Sequence, residues 1–206
     1  MFKSFLNFVT VSLAVAFSTA LAVPVAELEA RQTCADVMVV YARGTFEEAP
    51  IGDSTSVGAT LESNLTAILG SLSLSFQGVD YPADIAGYLE GGSPGGSQNM
   101  ADDLTDAATN CPDAKIVSAG YSQGGQLVHN SAGNLSSTVL DRISAIVIFG
   151  DPDRDETISG VPPDRIDIIC HDGDNICDGG ILILPSHLDY QEDVPAAAEF
   201  IASWVS

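Results

Sequence analysis

The chain has 206 residues, 46% of them hydrophobic, and carries 28 acidic against 7 basic side chains for a net charge of -21. So acidic a surface excludes nucleic acid and anionic membranes as partners, because both are held by clustered Lys and Arg. The length allows one compact domain with a full core and too little for two.

At the N-terminus Lys3 precedes a largely apolar run, and Ala20-Leu21-Ala22 has the small-x-small form of a signal-peptidase site. Residues 1–22 are therefore expected to be a secretory signal, residues 23–31 a pro-segment ending at Arg31, and residues 32–206 the single domain of an extracellular protein. The removed segment is charge-balanced, Lys3 and Arg31 against Glu27 and Glu29, so the mature surface stays as acidic. No later run approaches the roughly 18 apolar residues of a membrane span, so no integral membrane segment is expected.

The four cysteines of a secreted chain predict two disulfides, for which three pairings exist. Cys170 and Cys177 flank a tight Gly-Asp-Asn loop, which leaves Cys34 to reach Cys111. With no C-x-x-C spacing and an oxidising compartment, zinc is not expected.

Residues 36–42, D-V-M-V-V-Y-A, are nearly all apolar and read as a strand buried on both faces of a parallel sheet, ending at Arg43-Gly44-Thr45. Val57, Leu61, Leu65, Ile68 and Leu69 then recur at helical spacing. Residues 74–81 read as a second strand ended by Pro82, and residues 91–96, G-G-S-P-G-G, as a loop. Ser97 is the expected N-cap of a helix that carries Met100 and Leu104 and ends near Asn110. Further strands are predicted at 116–119, 143–149 and 165–170, with a closing helix through Val194, Ala198, Ile201 and Val205. The alternation predicts a three-layer α/β/α sandwich around a central, mainly parallel five-stranded sheet. Asn64 and Asn134 each open a glycosylation sequon, with Asn64 beside its helix's apolar stripe.

Between the third strand and its helix, Gly120-Tyr121-Ser122-Gln123-Gly124 matches G-x-S-x-G, the nucleophile elbow. A serine needs a base, and the base a carboxylate, in the chain order Ser, acid, His. His187, after the last strand and before the closing helix, is the expected base. His129 reads as a residue of the elbow helix, and His171 adjoins Cys170 too closely to face the candidate acids. Asp174, inside the small cysteine ring, is preferred to its neighbour Asp172 as the acid, and Asp151 lies one strand early. By loop closure that ring stabilises by only about 2 kcal/mol against about 4 to 5 for the longer bridge, so its value is positional. Asp151-x-Asp153-x-Asp155 has the opening rhythm of a calcium loop but lacks the required glycine, so no metal is expected. Ile181-Leu182-Ile183-Leu184 with Leu188 is either core or an apolar rim for a greasy substrate.

These residues resemble the secreted fungal cutinases and cutinase-like serine esterases, small α/β-hydrolases. The likeness rests on Tyr41-Ala42-Arg43-Gly44-Thr45, Cys111-Pro112-Asp113-Ala114, Gly120-Tyr121-Ser122-Gln123-Gly124 and Phe149-Gly150. It extends to Cys170-x-x-Gly173-Asp174-x-x-Cys177 and Pro185-x-His187-Leu188-x-Tyr190. It implies Ser122 as nucleophile, His187 as base and Asp174 as its orienting acid, with the same two disulfides. It further implies an oxyanion hole from the backbone N-H groups of Thr45 and Gln123, the Thr45 hydroxyl as a further donor, and a structural Arg43. Tyr121, Ile181, Leu184 and Leu188 are the expected substrate contacts. The implied activity is cofactor-free hydrolysis of carboxylic esters by a monomer, on cutin-like polyester surfaces or short- to medium-chain acyl esters. Residues 79–84 look closer to the cutinase-like and acetylxylan-esterase branches, though the additional cysteines usual in the xylan esterases are absent here. A carbohydrate acetyl esterase is therefore the alternative, and an inactive surface-binding relative the next.

Overall fold

The computed structural model describes residues 34–206; the expected signal and pro-segment lie outside the described residues. Five strands, β1 (Val37–Ala42), β2 (Leu74–Gly78), β3 (Lys115–Tyr121), β4 (Ile143–Phe149) and β5 (Ile166–Ile169), form one sheet in the order β2-β1-β3-β4-β5. Every pairing is parallel.

Alternation along β1 divides the core. Val37, Val39 and Tyr41 pack with α1 (Val57–Ile68) and α6 (Val194–Val205) on one face. Met38, Val40 and Ala42 pack on the other with α3 (Pro94–Asn110) and α4 (Gln123–Asn134). The central strands β1, β3 and β4 are thus buried on both faces, in keeping with their largely apolar sequences. The result is the three-layer sandwich expected.

Two local readings are corrected, the first being that the strand expected over 74–81 ends at Gly78. The third helix begins one turn earlier than Ser97: Ser93 is its N-cap, accepting from Gly96 N at 3.2 Å, and Pro94 opens the helix. Proline is at home there because a first-turn N-H has no partner to lose. Gly96 lies inside the helix because a Cβ would press on Tyr81 and Leu127. Two short helices, α2 (Ile85–Leu89) and α5 (Ser137–Leu140), arise in stretches with too few residues for a periodic pattern. Each is capped by a side chain, Asp84 and Ser136 respectively.

Disulfides join Cys34 to Cys111 and Cys170 to Cys177. The first ties the segment entering β1 to the turn entering β3. Arg43 is 4% exposed and is consumed by structure: it donates to the carbonyls of Glu47, Val79 and Tyr81. Its guanidinium also lies over the Tyr81 ring.

Candidate active site

The carboxyl ends of β1, β3 and β5 lead into the segments that bring the candidate residues together. Ser122 follows β3 with φ 55° and ψ -121°, a left-handed conformation that costs a β-substituted residue free energy and points Oγ away from the turn. The turn is held by Ser122 N donating to Phe149 O at 2.9 Å and Gly125 N donating to Ser122 O at 2.8 Å. Its glycines are steric requirements: a Cβ on Gly120 would run into the Gly124 backbone, and one on Gly124 into Ala42 O.

His187 Nε2 lies 2.9 Å from Ser122 Oγ, and its Nδ1 lies 2.7 Å from Asp174 Oδ2. The imidazole is buried, stacked on Tyr121 at 5.2 Å between ring centroids, while Tyr121 donates its hydroxyl to His187 O at 2.6 Å. Gly150 leaves room for the ring, since a Cβ there would press on His187 Cε1. The Asp174 carboxylate is also buried and accepts from the Tyr190 hydroxyl at 2.6 Å and from Ile176 N at 2.9 Å. Burial pushes its pKa up, but the Tyr190 and His187 hydrogen bonds, the imidazole charge and the Ile176 N-H together hold it below the ordinary carboxylate range.

His171 and His129 are engaged elsewhere. His171 Nε2 lies 2.6 Å from Asp193 Oδ2, and His129 Nε2 lies 2.9 Å from Asp151 Oδ2. Asp151 is fully buried and also accepts from Asp153 N, so the acid considered one strand early serves a pair behind the elbow helix.

Thr45 follows β1 beside the elbow. The Gln123 side-chain amide donates to Thr45 Oγ1 at 3.1 Å and to Asp84 O at 2.6 Å, tying that loop to the start of α4. Gln123 N is a first-turn helix N-H and so has no intrahelical acceptor.

Ser122 and His187 open into a groove of about 480 Å³. Its lining includes Tyr121, Ile181 and Leu188 but not Leu184. Ile183 takes that place, because Ile181 and Ile183, two residues apart, face the groove where Leu182 and Leu184 do not. Phe46 and Ile85 also line it, and sequence reading missed them because each sits in a loop or a one-turn helix without period. The rim is apolar and exposed, with Phe46 at 71%, Ile181 at 66% and Leu188 at 59%. This resolves the 181–184 run as rim, not core. Tyr88 bridges the walls by donating to Gly180 O at 2.6 Å.

A parallel sheet with a Ser-His-Asp chain at a strand-to-helix turn defines the α/β-hydrolase class. A family model described as Cutinase matches residues 33–205. A cutinase of Botryotinia fuckeliana is 53% identical over 88% of this chain and 88% of its own. A Trichoderma reesei cutinase solved with a C11Y4 phosphonate inhibitor superposes with a TM-score of 0.79 at 40% identity, over 84% of this chain and 78% of that one. The catalytic core of an acetyl xylan esterase from Trichoderma reesei shares the fold, with a TM-score of 0.65 at 22% identity over 83% of this chain and 99% of that one. The chain belongs to the cutinase family and is a carboxylic ester hydrolase.

Proposed function

We propose that the chain is a secreted serine esterase acting through an acyl-enzyme on Ser122. The observation that carries this reading is the unbroken line Ser122 Oγ, His187, Asp174 at the floor of an apolar-rimmed groove. His187 Nε2 takes the Ser122 proton as Oγ attacks the ester carbonyl, and Asp174 holds the ring with Nδ1-H toward its carboxylate and stabilises the imidazolium. The backbone N-H groups of Gln123 and Thr45 receive the oxyanion. His187 returns the proton to the leaving alcohol, then draws one from water that cleaves the acyl-enzyme, and Ser122 is restored.

The apolar rim supports a cutin-like polyester or short- to medium-chain acyl ester as substrate, reached by docking at an insoluble surface. An acetylated polysaccharide is the second reading; the distant acetyl xylan esterase likeness supports only the fold. The disulfides support export, with residues 1–22 as signal and 23–31 as pro-segment. Asn134 is exposed at the end of α4 and is the better glycosylation acceptor; Asn64 is half-buried and donates to Thr60 O.

Rates on a medium-chain polyester film and on acetylated xylan, for the wild type and Ser122→Ala, test this. Polyester turnover that vanishes in the variant is expected. Turnover of xylan alone would overturn the substrate, and an active Ser122→Ala the mechanism.

A further inference from the structure

The proposed reaction leaves His171 unused, although its ring touches the residue before His187. His171 lies just past β5. Its Nδ1 is 2.8 Å from Ser186 O, with Asp189 Oδ1 at 3.3 Å, and its Nε2 is 2.6 Å from Asp193 Oδ2 at the start of α6. The ring stacks on Tyr190 at 4.1 Å with 19° between planes. The His171 backbone N-H donates to the same Tyr190 hydroxyl that donates to Asp174.

A peptide carbonyl and a carboxylate only accept hydrogen bonds. Both contacts therefore exist together only when both ring nitrogens carry hydrogen, and a neutral imidazole supplies one. The groups facing the ring all favour the cation: Asp189 on the loop, Asp193 on α6, and the Tyr190 face, behind which stands Asp174. Burial pulls its pKa down, but the Ser186 carbonyl, Asp193 and Asp189 outweigh it and raise the pKa above the ordinary histidine value. The His171 side chain is 27% exposed against 2% for His187, so solvent reaches it without entering the Ser122 site.

We propose that His171 is a positioning residue for ester hydrolysis: as an imidazolium it clips the loop bearing His187 to the end of β5 and to α6, and its deprotonation sets the alkaline limit of turnover. The inference rests on His187 being the base. The two imidazoles then have opposite requirements, His187 acting only when neutral and His171 holding only when charged.

The chain has three histidines, so their ring signals are separable by 15N NMR. The test titrates those signals and measures kcat and KM against pH on a soluble ester, in the wild type, Asp193→Asn and His171→Gln. Asp193 makes no side-chain cap bond, so its amide leaves α6 intact. In the wild type, His171 is expected to titrate above ordinary histidine with the same midpoint as the alkaline fall in kcat, while KM hardly moves. In Asp193→Asn both midpoints should shift down together. His171→Gln should lose about tenfold or more in kcat and show no alkaline fall, because an uncharged amide does not reproduce the bonds of the charged ring. A kcat limb that stays put while the His171 signal moves, or a His171→Gln with wild-type kcat and limb, would overturn the clip. Turnover in Ser122→Ala would instead overturn the reaction reading, so the two failures are distinguishable.

Discussion

The Asp174 carboxylate is surrounded by contacts that sequence spacing does not reveal. That Asp174 and not Asp172 lies beside His187 was legible from the cysteine ring, and that His187 lies beside Ser122 from chain order. Tyr190, however, was visible only as part of a motif, and its hydroxyl's bond to Asp174 depends on how the loop after β5 packs on the start of α6. The same holds for the buried His129 and Asp151 pair, 22 residues apart, which only the strand-to-helix register brings together. Asp174→Asn preserves shape while offering His187 the wrong hydrogen-bonding partner. It is expected to lower kcat by about ten-thousandfold with the fold retained, measured by steady-state kinetics beside circular dichroism. Tyr190→Phe removes one donor from a buried carboxylate and should cost about 1.5 to 3 kcal/mol in urea unfolding. Without that donor the Asp174 pKa rises. A depressed carboxylate pKa contributes stability above its unfolded value that is lost as pH falls through the folded one. The variant should therefore also begin acid unfolding at a higher pH than the wild type.

Among elements, the strands were the most legible, because β1, β3 and β4 are buried on both faces and read as largely apolar runs, broken only by Lys115 and Ser118 in β3 and Ser144 in β4. The start of α3 was not, since Ser-Pro-Gly-Gly is loop chemistry unless packing against Tyr81 and Leu127 demands small residues in a first turn. The elbow tests the same packing logic. Gly124→Ala sets a methyl against Ala42 O and should destabilise by about 1 to 3 kcal/mol, read by chemical denaturation. The ring closed by Cys170 and Cys177 separates position from stability. Replacing both by Ser should lower stability by about 2 kcal/mol. If the ring's function is to hold Asp174, kcat should fall further than that loss of folded protein explains, at temperatures where the variant is fully folded.

For the whole molecule, charge and sheet are coupled to pH in one direction. Burial raises the Asp103 pKa to about 6 and lifts those of Glu47, Asp153 and Asp167, with neighbouring acids adding to the first three. Such groups oppose folding when ionised, so stability grows as pH falls through their folded values. Against the effect of burial, Asp151 raises the pKa of His129, and the Ser186 carbonyl with Asp193 and Asp189 raises that of His171. Their contribution is complete below the unfolded histidine value and is lost as pH rises through the folded one. With a net charge of -21 adding self-repulsion, Tm should be higher near about pH 5.5 than near about pH 8.5. Added salt should narrow the gap. A calorimetric series in both buffers checks this, and equal values would contradict it.

The proposed acyl-enzyme requires a covalent bond between substrate and Ser122 Oγ. An alkyl phosphonate ester, with the modified residue located by peptide mass spectrometry, tests it most directly. One phosphonyl group on Ser122, appearing in step with loss of esterase activity and absent from Ser122→Ala, is the predicted result. Full inactivation with Ser122 unmodified, or an active Ser122→Ala, would contradict it.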